Sequence, residues 1–456
     1  MPEIEPALKY AEANRESFLE DFKSLLRIPS ISTLPEHKKD IQEAAAWIAD
    51  QLNSMGFEAV EILPTEKHPV VYGEHLQAGS NAPTLLFYGH YDVQPTDPLD
   101  KWHSDPFKPT IRADDLFARG ASDMKGQLVA HLKALEAMVK TSGLPINIKY
   151  MVEGEEEIGS PNLARFIDEQ KERLNCDLCL NSDSGILAPD TPAITFSLRG
   201  LAYFELCLQG AENDLHSGQF GGVVDNPGNV LCDLIAGMRD DDGHILLPGF
   251  YDDVRPHSEE DREVAAELPE EWWLDQSGAR KLFGEPGYTP TERATARPTL
   301  DVNGLLCGFT GEGSKTVLPA RAMAKISMRL VPDQHPRKIQ DSLERYLDEK
   351  VPETMAWELE DLASSPPAIV ERDSDAVRAA SRAMHAVWGK DPVFLRQGGT
   401  IPVVGLIQEK LGIDSLMLGF GLPDDNLHAP NEKQHLPNFY RGIETYIRFS
   451  HEITKI

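Results

Sequence analysis

Apolar residues recur at helical spacing in ESFLEDFKSLLRI (16–28) and DIQEAAAWIADQLNSMG (40–56), where Gly56 supplies a stop signal. TLLFYGHYDV (84–93) is instead a short continuous apolar run, the pattern of a strand covered on both faces. GQLVAHLKALEAMVKTSG (126–143) predicts an amphipathic helix with Leu128, Val129, Leu132, Leu135, Met138 and Val139 along one side. INIKYMV (146–152) and CDLCLNSD (176–183) read as two further strands, with NLARFIDEQKERL (162–174) as the helix between them. Strands alternating with helices predict a mostly parallel sheet with helices on its faces.

From about Ala193 the pattern changes. AITFSLRGLAYFELCLQG (193–210) is β-rich without a helix, a helix begins near Pro227, and TVLPARAMAKISMRLVP (316–332) leads into the helix KIQDSLERYLDEKV (338–351). DLASSPPAIV (361–370), with paired prolines, reads as a return linker. Helix and strand then alternate again through 375–389, 402–412 and 414–421. The expectation is an α/β catalytic domain in two pieces, 1–192 and 366–456, with an α+β domain inserted at 193–365.

A chain of 456 residues suits two domains, and 41% hydrophobic with 26% charged residues is an ordinary globular balance. The net charge of −30 argues against nucleic acid, whose phosphates would be repelled. No secretory signal or membrane span is visible, and five scattered cysteines fit a reducing cytoplasm. Cys176 and Cys179 have redox spacing, but within an extended strand they face opposite sides and read as core. No Gly-rich phosphate loop or GxSxG elbow occurs.

The acids and histidines that remain fall at strand ends. His90 and Asp92 close one predicted strand, Glu155, Glu156 and Glu157 follow the next, and Asp183 ends another. Asp123 precedes the 126–143 helix, where capping is its ordinary role, and His428 follows the strand SLMLGFG. In a parallel sheet these ends open at one edge, where ligands bind. Oxygen and imidazole donors without thiolate suit Zn²⁺ or Mn²⁺, and several carboxylates for two imidazoles suggest two ions sharing one carboxylate. Neighbours in extended chain point to opposite sides, so one location cannot serve all three glutamates.

GHYDVQP, GASDMKG, EGEEEIGS, LNSDSG and LHAPNE, in this order, resemble the dinuclear zinc peptidases of the aminoacylase, carboxypeptidase-G and carnosinase type. NDLHSGQFGG, SKTVLPARAMAKISMRLVP and RQGGTIPVVG extend the resemblance, which is nearest the carnosine dipeptidase and cytosolic non-specific dipeptidase branch. It covers residue 16 to the end, although 240–312 has no matching motif. It implies that His90, Asp123, Glu157, Asp183 and His428 bind two metal ions, Zn²⁺ with Mn²⁺ as the alternative, and that Asp123 bridges them. Asp92 would fix the His90 ring, Glu156 would be the general base, and the Asp123–Met124 peptide bond would be cis. The lid histidine would be His216, which acts on the partner subunit's site in a homodimer. Arg329, Thr316 and Thr400 would bind substrate.

The implied activity is hydrolysis of dipeptides, or similar small amides with a free C-terminal carboxylate, by a water shared between the ions. An N-acyl-amino-acid deacylase or carbamoylase on the same scaffold is the nearest alternative. A non-catalytic metal- or peptide-binding protein is the alternative of another class, and it predicts lost ligands where none is missing.

Overall fold

Leu85, Leu86, Phe87 and Tyr88 are fully buried, as a strand covered on both faces requires. The computed structural model describes residues 3–455 apart from Glu267. It splits into two compact units: Met1–Phe196 with Val370–Leu395 and Leu406–Ile456, and Ser197–Ile369 with Arg396–Gly405.

In the first unit the Thr84–His90 strand pairs in parallel with Asn147–Glu153 and with Leu178–Asn181, which in turn pairs in parallel with Ser415–Met417. All four strands therefore end at one edge of the sheet. Antiparallel strands flank this centre. Val70–His75 runs antiparallel to both Glu58–Leu63 and Asn147–Glu153, and Ala193–Leu198 lies antiparallel to Ser415–Met417. The short Pro64–Pro69 link explains one flank, because a parallel neighbour needs a longer crossover.

The Lys125–Val139 helix is buried around nearly its whole circumference rather than along one stripe. The helices Glu5–Ala13, Arg15–Leu26 and Leu436–Glu452 pack on it. Its charged residues are tolerated because each finds a partner. Lys125 Nζ donates to the carbonyls of Leu25 and Ile28 at 3.2 and 2.8 Å, and Lys133 pairs with Asp21 and Glu136 at 2.6 and 2.8 Å. Burial pushes the Lys125 ammonium down to about 7.

The second unit is built on an antiparallel sheet in the order Thr299–Cys307, Arg321–Leu330, Gly200–Gln209, Ala356–Ser365. Gly200–Gln209 alternates strictly, burying Ala202, Phe204, Leu206 and Leu208 in one core with Leu343 and Leu347 of the Pro336–Lys350 helix. The expected linker at 361–370 is mostly strand: pairing with Gly200–Gln209 continues to Ser365, and after the prolines at 366 and 367, which lack N–H groups, Ala368 and Ile369 pair instead with Leu198 and Ser197. The stretch without a motif, 240–312, contains the helices Glu259–Ala265, Glu270–Ser277 and Pro290–Thr295 and the strand Thr299–Cys307.

Among the described residues no helix is long and apolar enough to cross a membrane. All five cysteines are free, and Cys176 lies before the strand that contains buried Cys179.

Candidate active site and metal centre

His90 is the last residue of its strand and is fully buried. Its Nε2 lies 3.1 Å from Asp123 Oδ1 and 4.0 Å from Asp183 Oδ2, while Nδ1 is 3.4 Å from Asp92 Oδ1. His428, in a loop at a φ of 59°, puts Nε2 3.0 Å from Asp123 Oδ2 and 3.2 Å from Glu157 Oε2. Asp123 thus turns one carboxylate oxygen to each imidazole. Capping is not its role: the helix starts at Lys125 and its N-cap residue, Met124, makes no side-chain cap bond. The Asp123–Met124 bond is cis.

The three glutamates separate because the chain turns sharply after the Asn147–Glu153 strand. Gly154 begins the turn, and a Cβ there would lie 2.5 Å from Tyr91 Oη. Glu155 turns into the protein, accepting Thr65 Oγ1 at 2.6 Å, the His68 N–H at 2.7 Å and Asn162 Nδ2 at 2.8 Å. Glu156 and Glu157 start a single 3₁₀ turn whose N–H groups reach the two oxygens of Asp92 at 3.2 and 3.1 Å. Two neighbouring residues are not among those the sequence singles out. Gln94 donates to Glu157 Oε2 at 2.8 Å, and buried Glu153 accepts Tyr88 Oη at 2.7 Å and Ser160 Oγ at 2.9 Å. Gln94 stands in GHYDVQP two residues past Asp92, and Glu153 directly ends the apolar run; these positions were the only available hints.

Crowded acids distort one another's titration. Burial, reinforced by the charges of Asp183, Asp123 and Glu157, raises the Glu156 carboxyl well above its usual range. Burial and Asp123 push Asp183 up to about 7, and burial raises Glu157. For Asp123, burial is outweighed by hydrogen bonds with His428 and His90, which hold it well below the usual range. Hydrogen bonds to Asp123 and Glu157 raise His428 to about 10. So much convergent negative charge calls for cations, and ligating atoms of His90, Asp123 and Glu157 all lie within 4.8 Å of one another. An all-oxygen-and-imidazole donor set fits divalent zinc or manganese.

The other candidates lie in the second unit. Arg329 Nη1 donates to Thr400 Oγ1 at 2.7 Å, and that hydroxyl donates to the Arg199 carbonyl at 2.7 Å. Arg329 is half-buried, burial lowers its pKa, and among the described residues it has no ion-pair partner. His216 and Thr316 are exposed, on and beside a small ribbon in which His216 pairs with Val317. His216 Nδ1 accepts the Gly218 N–H at 3.0 Å.

Residues 86–452 match the sequence profile of peptidase family M20/M25/M40. The chain belongs to that family. Across 99% of its length it is 30% identical to the human Beta-Ala-His dipeptidase, covering 93% of that protein. It is also 30% identical to the Cys-Gly metallodipeptidase DUG1 of Candida albicans, covering 98% of this chain and 97% of the relative. Among solved structures, an M20 family metallo-carboxypeptidase, Sso-CP2 from Sulfolobus solfataricus, superposes with a TM-score of 0.85 at 35% identity, over 96% of this chain and 99% of that one. As an M20 peptidase the chain is a hydrolase, and the motifs GHYDVQP, GASDMKG and LHAPNE meet at Asp123.

Proposed function

We propose that this M20 peptidase hydrolyses the amide bond of dipeptides or similar small substrates that carry a free C-terminal carboxylate. The observation that carries the reading is Asp123, with one oxygen 3.1 Å from His90 and the other 3.0 Å from His428, beside a Glu156 carboxyl that among the described residues accepts no side-chain hydrogen bond. His90 and Asp183 would hold one divalent ion, Glu157 and His428 the other, and Asp123 both. Such ions, zinc or alternatively manganese, supply a Lewis acid for the carbonyl and lower the pKa of water.

The chain's own residues supply the rest. Glu156 accepts a proton from the attacking water and delivers it to the leaving amine. Asp92 holds the His90 ring and, through the N–H groups it accepts, the orientation of Glu156. Arg329, steadied by Thr400, offers its guanidinium to the substrate's terminal carboxylate. Thr316 adds a hydroxyl contact, and His216 stabilises the oxyanion of the neighbouring subunit's substrate in a homodimer. The dipeptidase and carboxypeptidase names of the relatives favour this reading over deacylation. Five free cysteines support a cytoplasmic setting.

Parallel assays with Ala-Ala, β-Ala-His and N-acetyl amino acids, with Zn²⁺, Mn²⁺ or a chelator, test the proposal. Turnover of unblocked dipeptides that stops with chelator is expected. Turnover of the acylated compounds alone would transfer the protein to the deacylases.

A further inference from the structure

The segment after Gly421 returns three times to the turn that carries Asp123. Asp425 Oδ2 accepts Ser122 Oγ and the Leu422 N–H, both at 2.7 Å. His428 faces Asp123 Oδ2. Glu432 then spends its whole carboxylate on the turn. Its Oε1 accepts the N–H groups of Ser122 and Asp123 at 3.0 and 3.1 Å, and its Oε2 accepts the Gly120 N–H at 2.8 Å and Arg119 Nη1 at 2.7 Å. The Glu432 carbonyl adds a bond from the Ala118 N–H at 3.1 Å.

Two features show what this arrangement is for. Glu432 is 0% exposed and Arg119 1%, and a pair so buried loses nearly as much hydration as it gains in attraction, so stability alone is a weak reason for it. Three backbone N–H groups converging on one carboxylate instead define the conformation of the turn atom by atom. The turn has no slack to adopt it otherwise: Gly120 stands at a φ of 80°, where a Cβ would lie 2.6 Å from Val93.

We infer that Glu432 is a positioning residue for the divalent-cation site, clamping the backbone of Asp123 so that its two oxygens stay aimed at His90 and His428. Glu432 itself touches neither ion nor substrate. Because His428 and Glu432 come from the same short segment, one stretch of chain both supplies a ligand and fixes the bridging carboxylate against it. The inference rests on the reading of the Asp123 cluster as a cation site.

The test uses the full chain with Zn²⁺ alone as probe. Glu432→Gln keeps the shape but turns an NH₂ group toward backbone donors, and Glu432→Asp keeps the charge for Arg119 but is too short to reach all four donors. Zn²⁺ affinity is measured by competition with a chromophoric chelator, alongside the melting temperature of the metal-free protein. Either variant that folds is expected to bind Zn²⁺ about 10- to 100-fold more weakly per folded molecule. Its activity should recover toward wild type as Zn²⁺ is raised. A folded variant with wild-type affinity, even one with a lowered melting temperature, would make Glu432 a purely structural residue and overturn the inference. Failure of the wild-type protein to bind Zn²⁺ or Mn²⁺ would instead remove the cation-site reading on which it stands.

Discussion

Asp92 accepts the backbone N–H groups of Glu156 and Glu157 on its two separate oxygens, at 3.2 and 3.1 Å, while one of those oxygens also lies 3.4 Å from His90 Nδ1. Asp92 therefore sets both an imidazole, whose Nδ1 also lies 3.1 Å from the Asp92 carbonyl oxygen, and the turn that presents two glutamates. Asp92→Ala should disturb the base and the ligands together. A fall of about 10- to 100-fold in both kcat/KM and metal affinity is expected, on the scale of losing an orienting partner. Titrating metal into the variant while following dipeptide hydrolysis checks it. Unchanged metal affinity would confine Asp92 to holding the turn.

Glu156 has no side-chain hydrogen bond among the described contacts, in contrast to Glu155 and Glu157 on either side. Glu156→Gln removes proton transfer and keeps the shape. Activity should fall by about 10²- to 10⁴-fold, the usual contribution of a general base, with two ions still bound. Elemental analysis of the purified variant, combined with steady-state assays, separates the roles. Loss of one ion would make Glu156 a ligand.

The different directions taken by the three glutamates of the acidic run show how far the sequence could be read. Continuous apolar runs mark the central strands, so the sequence alone places His90, the glutamates and Asp183 at one edge. The family resemblance then separated Glu156 from Glu157. Nothing local could say where Glu155 turns, because its partners Thr65, His68 and Asn162 come from other segments. Glu153 was invisible for the same reason, since a buried acid looks like a solvated one until Tyr88 and Ser160 are placed beside it. The Lys125–Val139 helix misled in the other direction: charged residues suggested an exposed face, but carbonyls and acids on neighbouring helices satisfy them inside the core.

Arg329 and Thr400 are far apart in sequence and joined by a 2.7 Å hydrogen bond. If the guanidinium receives the substrate carboxylate, Arg329→Met should raise KM for unblocked dipeptides about 10- to 100-fold, the value of one hydrogen bond to a charged group. Dipeptide amides, which carry no such charge, should be affected little. Thr400→Val should give a smaller rise, because it loosens the guanidinium without removing its charge. Equal losses on free and amidated substrates would exclude carboxylate recognition by Arg329.

His131 stacks on Phe87 at 4.0 Å between ring centroids, lies 2.6 Å from Tyr150 Oη, and is pushed by burial down to about 3. It is neutral in the folded protein at every ordinary pH, whereas the unfolded chain protonates it near 6.5. Below about pH 6.5 the unfolded state therefore binds one more proton than the native state, and stability falls as pH falls. The window runs down to about pH 3, with a slope of about 1.4 kcal/mol per pH unit. Glu153 and Asp425, both raised to about 7 by burial, slope the opposite way over part of this range, so wild type alone would not isolate the histidine. Comparison with His131→Gln does, because the other groups titrate in both proteins. Between pH 7 and pH 5 the wild type should lose about 2 kcal/mol relative to the variant, read from urea unfolding of the metal-free proteins. Parallel stability curves would mean that His131 is protonated in the fold, and its contact with Tyr150 would then have the imidazolium as donor.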